Sequence, residues 1–357
     1  MNVRTSACVA RPATPDDFLE VAAILYRIFG VRQDAAALRW KSAGPAGRLV
    51  GSAVLTSGGR IVGFLGQIPV RIWCRGRELL AVQGADVGIL EEHRRLDAFL
   101  GMVGVSLREL RAAGVALTYG IANADAAAVT RLLGQRLVAP VPLVVRPIAR
   151  GSLPGRGWGA RVAAGFLAAW ADRCDGRAEG RSCAGWRVGS VSRFDERFDR
   201  FWGRIRDDYP ILVVRDAAYL NWRYVDGPGA SYERLCIENV ASGELEGFAV
   251  LGLGRRRGRV RGRIAELATS CRQRRQAAAM LLRAAVARLR TLGADVAEGW
   301  AFPHTHLRAA YLCRGFVPRR TGEGGFQVGA PAAGASDVGG ADCAENWFLS
   351  MGDSDTV

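Results

Sequence analysis

Hydrophobic positions along the chain alternate between a helical and a strand-like period, and the switches between the two mark its elements. A short strand at Cys8–Arg11 leads into a helix start at Thr14-Pro15-Asp16-Asp17, where Thr14 can cap and the two acids suit the helix dipole. Phe18, Val21, Ala22, Leu25 and Ile28 then recur at helical spacing. Strand-like runs follow at Gly51–Thr56 and Ile61–Trp73, joined by the turn Ser57-Gly58-Gly59-Arg60. A third run, Leu79–Leu90, ends in Glu91-Glu92-His93-Arg94-Arg95. The pattern predicts a helix over Leu96–Ala112, a strand at Val115–Gly120, a helix at Asn123–Leu133 and a strand at Val141–Arg146 that closes the half.

After a Gly- and Pro-rich stretch at Gly151–Gly159 comes an amphipathic segment bearing Trp158, Val162, Phe166, Leu167 and Trp170, best read as a helix packing between domains. The same order of elements then returns. A helix is predicted at Arg193–Ile205, a short helix or turn at Arg215–Tyr224, and strands at Tyr232–Glu238, Gly247–Gly252 and Arg263–Thr269. The helix Gln273–Leu292, strand Asp295–Phe302, helix Thr305–Arg314 and strand Phe316–Arg319 follow. Gly322–Ala344, rich in Gly and Ala, reads as a loop, and Asn346–Met351 as a last strand. The chain therefore divides into 1–150, a linker at 151–186, and 187–357.

Composition narrows the function classes. A chain of 357 residues suits two domains better than one. Its longest apolar stretch, near Ala160–Ala171, falls far short of the ~20 residues that span a bilayer, and the first residues have no signal-peptide core. A cytoplasmic protein without membrane partners is expected. The eight cysteines are scattered without C-x-x-C pairing, and His93, His304 and His306 are the only imidazoles, so no metal site is expected. The net charge of +15 comes almost wholly from arginine, with Lys41 the only lysine, and suits anionic ligands such as CoA phosphates or a nucleic acid. The arginines are dispersed apart from Arg255–Arg257 and Arg272–Arg275, which speaks against nucleic acid.

In each half a strand runs into a basic turn and a long helix, an arrangement whose free backbone N–H groups seat a pyrophosphate. Anchoring on Arg94 and Arg274 aligns the halves: Gly134 and Gly315 follow at 40 and 41 residues, and Asp86 and Glu266 each stand eight residues before. Asn123 and His304 lie eleven residues before those glycines, and Thr130 and Tyr311 lie four before. An offset of 180 to 181 residues across these features marks a duplicated domain.

This order resembles the GNAT superfamily of acyl-CoA-dependent N-acyltransferases, with its Q/R-x-x-G-x-G/A pyrophosphate loop and its later N-x-x-A-x-x-L-Y-x-x-x-G-F helix. The resemblance implies an α+β fold of two GNAT-like domains, each with a mixed, mostly antiparallel central sheet flanked by helices. It implies acetyl-CoA as co-substrate and a small-molecule amine as acceptor, with direct transfer. Glu266 or Asp86 would be the base and Tyr311 the acid. Arg94, Arg95 and Asn123 in the first half, and Arg274, Arg275, Gln276, Ala277 and Ala279 in the second, would hold the cofactor. The first loop departs from the pattern at Asp97 and Phe99, where Gly and a small residue are wanted; the second loses one Gly to Ala277 and has His304 in place of Asn. Loop chemistry favours the second half. The segment Tyr219–Tyr224 and the Trp347–Asp355 tail are similar to GNAT proteins of surface-polysaccharide pathways, implying an amino-sugar acceptor. Two other readings stay open: a Fem-type aminoacyl-tRNA-dependent transferase, with tRNA as partner, and an inactive tandem scaffold.

Overall fold

The computed structural model describes residues 8–123, 130, 135–148, 173, 185–229, 231–256, 258–270, 274–319, 324–329 and 338–355. In chain order its elements begin with β1 (Val9–Pro12), α1 (Phe18–Phe29), α2 (Ala35–Ala43), β2 (Ala53–Ser57), β3 (Arg60–Cys74), β4 (Arg77–Ile89), α3 (Leu96–Ala112), β5 (Leu117–Asn123), β6 (Arg136–Ala139) and β7 (Leu143–Pro147). They continue with β8 (Trp186–Ser190), α4 (Glu196–Ile205), β9 (Ile211–Val213), α5 (Ala217–Tyr224), β10 (Glu233–Asn239), β11 (Leu245–Arg256) and β12 (Arg259–Thr269). The last are α6 (Arg274–Thr291), β13 (Val296–Trp300), α7 (His306–Cys313), β14 (Val317–Pro318), β15 (Gly324–Gly329) and β16 (Trp347–Phe348). Most of the expected linker at 151–186, and of the expected helix Asn123–Leu133, lies outside the described residues.

The chain forms two compact units: Met1–Ala139 with Asp226–Gly229 and Gly325–Ala344, and Pro140–Val225 with Ala230–Gly324 and Glu345–Val357. The sheet of the first unit runs β1-β2-β3-β4-β5-β15-β6. Its first four strands form an antiparallel meander, β4 and β5 are parallel, and β15 and β6 are antiparallel. The second sheet runs β14-β7-β13-β12-β11-β10-β8 and repeats that plan: an antiparallel meander β8-β10-β11-β12, the parallel pair β12 and β13, then two antiparallel neighbours. Both units are thus mixed, mostly antiparallel sheets with helices against them, as the α+β reading expects.

Apolar spacing seats the helices. In α1, Phe18, Val21, Ile24 and Leu25 are buried in a core shared with Leu38 of α2, Phe64 of β3 and Met102 of α3. In α4, Phe198, Phe201, Trp202 and Ile205 fall at i, i+3, i+4 and i+7 and are buried; Phe198 and Phe201 meet Phe248 of β11 edge-on, at 5.7 and 5.9 Å.

One strand in each sheet departs from the sequence reading. The strand expected to close the first half, Val141–Arg146, is β7 and pairs along its length with β13 in the second unit. The expected loop Gly322–Ala344 holds β15, which lies beside β5 in the first unit. Each strand covers the free edge that a parallel strand would otherwise leave open. Phe326 and Val328 of β15 are buried, and Phe326 packs 6.2 Å from Tyr119. Glycine-rich surroundings hid this strand from the hydrophobic pattern.

The first helix is entered through a buried cap. Arg11 donates two bonds of 2.7 Å to the carboxylate of Asp17, which also accepts from the amide and hydroxyl of Thr14 at 2.7 and 3.0 Å. The Arg11 bond, opposed by burial, holds the Asp17 carboxyl below its ordinary 3.8. A depressed folded value means that this stabilisation is complete above 3.8 and is lost as pH falls through the folded value. Urea unfolding at stepped pH is therefore expected to show Asp17→Asn less stable than the parent near neutrality, with the gap closing in acid; a gap that stays constant with pH contradicts this.

Candidate functional site

Both sheets open at the same place. Strand β4 is bonded to its parallel neighbour β5 at Ala81–Gln83 opposite Leu117–Tyr119, and β12 to β13 at Arg261–Arg263 opposite Val296–Glu298. Beyond those three pairs no further ladder contact joins either couple among the described residues, although the strands continue. Each splayed strand also carries a register shift against its antiparallel neighbour, opposite Phe64–Gly66 in the first unit and Val250–Leu251 in the second. A bulge re-aims the side chains beside it. Asp86 and Glu266 sit at these bulges, each five residues past the first paired residue of its parallel couple.

In the first unit the bulge puts Asp86 at φ 49°, a left-handed conformation that aspartate tolerates better than most residues. Its carboxylate forms an ion pair with Lys41 Nζ, the two side chains 10% and 13% exposed, and accepts a 3.3 Å bond from Gln33 Nε2. Lys41 in turn donates to Gln33 Oε1 at 3.5 Å, so α2 and the loop before it deliver an amine and an amide onto the carboxylate. Past β4, a 3-10 turn at Glu91–His93 leads into α3, whose N-cap is Arg95 with extended backbone. The first α-helical bond runs from Phe99 N to Arg95 O. The amides ahead of it point along the helix axis toward the turn, where the dipole favours an anion.

The two departures of this loop are accommodated. Asp97 is folded onto Arg95, accepting from Nε at 3.0 Å and Nη2 at 2.9 Å, and that guanidinium lowers its carboxyl value. Phe99 turns inward and packs against the core of the unit instead of obstructing the turn. Arg94 is exposed, with Nε 3.4 Å from the carbonyl of Ile89. Thr130, at the position where the resemblance wants tyrosine, donates its hydroxyl to Gln327 Oε1. Asn123 ends β5, and its side chain lies outside the described residues.

The second unit treats its acid differently. Glu266 is wholly buried, accepting from Arg215 Nε at 3.1 Å and from the Tyr224 hydroxyl at 2.8 Å. Arg215, also fully buried, donates onward to Asp353 Oδ2 at 2.6 Å, Ser350 Oγ at 3.1 Å and the carbonyl of Val213 at 2.9 Å, and lies over the Phe348 ring. Burial raises the Glu266 value; Arg215 opposes that and Asp353 adds to it. Burial disfavours the Arg215 charge, yet Asp353 and Glu266 together hold the guanidinium firmly protonated. Gly352 packs directly on the network: a Cβ there would lie 2.5 Å from Glu266 Oε1 and 1.9 Å from the Tyr224 oxygen.

An incoming amine cannot reach Glu266, so the base role expected for it does not fit this geometry. Tyr311 is buried too, packed edge-on against Phe316 at 4.9 Å, with its hydroxyl so close to Gly299 that a Cβ there would lie 2.6 Å away. Burial, and then the Glu266 charge, push its value far above the ordinary 10.0. It is a core residue under β13. At the start of α6, Gln276 is exposed, Ala277 is buried inward and Ala279 half-buried; the side chains of Arg274 and Arg275, and the turn at 271–273, lie outside the described residues.

The two remaining imidazoles of the second unit diverge. His304 Nε2 meets the carbonyl of Trp347 at 2.8 Å, while His306 lies between the Thr269 hydroxyl at 2.8 Å and the Tyr209 hydroxyl at 3.4 Å. No group of side chains able to hold a metal occurs among the described residues, and no helix among them is long and apolar enough to cross a membrane. The sequence reading missed Lys41 and Gln33 beside Asp86, and Arg215 and Asp353 beside Glu266. Lys41 carried a signal as the chain's one lysine, and Asp353 lay in the Trp347–Asp355 tail that the resemblance picked out.

Removing one partner from a buried charge network leaves the others uncompensated, at a cost of about 3–5 kcal/mol. Arg215→Met is expected to destabilise the protein by that order in urea unfolding, with Glu266→Gln milder because the amide still accepts from Tyr224. A loss at Arg215 below about 1 kcal/mol, the range of exposed pairs, would mean that the network is solvated.

Comparison with known proteins agrees with this architecture. Residues 9–134 match the family model described as an acetyltransferase (GNAT) domain. No curated protein matches the sequence. Among solved structures, a probable N-acyltransferase of Enterococcus faecalis is similar over 91% of this chain and 72% of its own, with TM-score 0.62 at 10% identity. A GCN5-related N-acetyltransferase from Anabaena variabilis covers 91% of this chain and 73% of its own, with TM-score 0.59 at 13% identity. The Saccharomyces cerevisiae N-myristoyltransferase with bound myristoyl-CoA covers 90% of this chain and 79% of its own, with TM-score 0.59 at 13% identity. The fold is that of the GNAT acyltransferases.

Proposed function

We propose that this chain, built on the GNAT fold, is an acyl-CoA-dependent N-acyltransferase whose reacting centre is the opening between β4 and β5 of the first unit. The observation that carries the reading is the continuity of that opening: the bulged acid Asp86 leads directly into an arginine turn at the N-terminus of α3. The thioester lies along the unpaired part of β4, where a backbone N–H can polarise its carbonyl oxygen. The pyrophosphate sits at the amides opening α3, with Arg94 beside it. An acceptor ammonium loses its proton toward Asp86, the amine attacks the thioester carbon, and the CoA thiolate leaves.

The sequence's loop chemistry favours the second half. Three observations favour the first. Glu266 is sealed, whereas the Asp86 side chain keeps 10% of its surface exposed. The first loop's Asp97 is neutralised and its Phe99 turned away. The family model falls on residues 9–134. The second unit then serves as a structural partner held by its buried charges.

Acetyl is the acyl group the resemblance implied; myristoyl-CoA in the yeast neighbour makes a longer chain the other candidate. The acceptor we propose is an amine without further restriction, because every residue of Tyr219–Tyr224, which suggested an amino sugar, is buried.

Calorimetric titration of acetyl-CoA and myristoyl-CoA into the parent, Arg94→Glu and Arg274→Glu decides between the units. A charge-assisted phosphate contact is worth about 1.5–3 kcal/mol, hence roughly ten- to hundredfold in affinity. Arg94→Glu is expected to lose that much and Arg274→Glu little. A loss confined to Arg274→Glu moves the site to the second unit.

A further inference from the structure

We infer that Lys41 is an internal acyl acceptor, a site at which the protein acylates itself. The inference rests on the reading that the first unit holds the thioester. Every other side-chain cation of the +15 chain, histidine aside, is an arginine, so the one lysine is an exception to a strong compositional rule. It does not lie on a random surface: its ammonium meets Asp86 and Gln33 at the bulge of the splayed strand, mostly covered. An ion pair with Asp86 does not by itself call for lysine, since a guanidinium grips a carboxylate at least as well through paired donors. What lysine adds is an amine that becomes a nucleophile once it gives up a proton, which arginine does not do.

The step balances without any further reagent. The Lys41 ammonium passes a proton to Asp86, and the neutral Nζ attacks the thioester carbonyl carbon. A C–N bond forms as the C–S bond breaks. Of the three protons on the ammonium one stays on the amide, one ends on the CoA thiol, and one leaves through Asp86 to solvent. The product is a neutral amide, so Asp86 loses its ion-pair partner, keeps the Gln33 amide bond, and has its charge left for an external ammonium.

The test is intact-mass spectrometry of the full chain incubated with acetyl-CoA, followed by peptide mapping. A parallel assay follows acetyl-CoA binding and thiol release against a panel of small amines. One added acetyl group, mapped to Lys41, is expected in the folded protein and absent from protein unfolded in urea. It is expected to be absent from Lys41→Arg and slowed about a hundredfold in Asp86→Asn, the scale of a lost general base. The wild-type comparison of folded with unfolded chain needs no variant to fold. Equal labelling in urea overturns the inference, since it is then ordinary chemical acetylation. Transfer to amines with Lys41 unmodified overturns it while leaving the proposed function standing. Absence of acyl-CoA binding overturns both.

Discussion

A parallel strand pair that holds for only three residues and then parts is the constraint on which this molecule turns. Parallel ladders are slanted and slightly less stable per residue than antiparallel ones, so the seam between β4 and β5, and that between β12 and β13, are the natural places for each sheet to open. The bulge in β4 and its counterpart in β12 then mark one residue beside each seam. In both units it is a carboxylate at the same step from the ladder, and in both the strand leads on toward the start of a long helix, α3 or α6. Whatever differs between the units is decided by what surrounds that carboxylate.

The surroundings are opposite in kind. Glu266 is shared with an arginine, a tyrosine and a second carboxylate, all out of water, and a glycine presses against it. Breaking one member of such a network strands the others, so it binds the turn at Met351–Asp353 to the sheet. Asp86 meets one lysine and one amide from a short helix and its preceding loop. One ammonium against one carboxylate, in a strained backbone conformation, is an arrangement that can exchange partners. The same fold thus uses one carboxylate as a clamp and, under the proposed function, offers the other for chemistry.

How much of this was legible depended on sequence distance. The repeated strand plan was readable because its markers recur at a constant offset, and the splayed strands place Asp86 and Glu266 equivalently. Long periodic elements such as α1, α3 and α6 were readable for the same reason. Helix α2 was not: Ala35-Ala36-Ala37 offers no apolar stripe beyond Leu38, so the helix carrying Lys41 left no periodic trace. The positions of β7 and β15 were hidden because a short apolar strand fits any open edge, and local pattern does not say which. The sealing of Glu266 depended on Arg215 and Asp353, residues 51 and 138 apart from their partners in the network, and no motif spans such separations.

The central claim is that the first unit's turn, and not the second's, seats the acyl-CoA pyrophosphate. Hydrogen–deuterium exchange with and without acyl-CoA reads this at the amides themselves. The account predicts slowed exchange at Leu96, Asp97 and Ala98, opening α3, with no change at the N-terminus of α6. Protection confined to Gln276–Ala278, with the start of α3 unaffected, would contradict it.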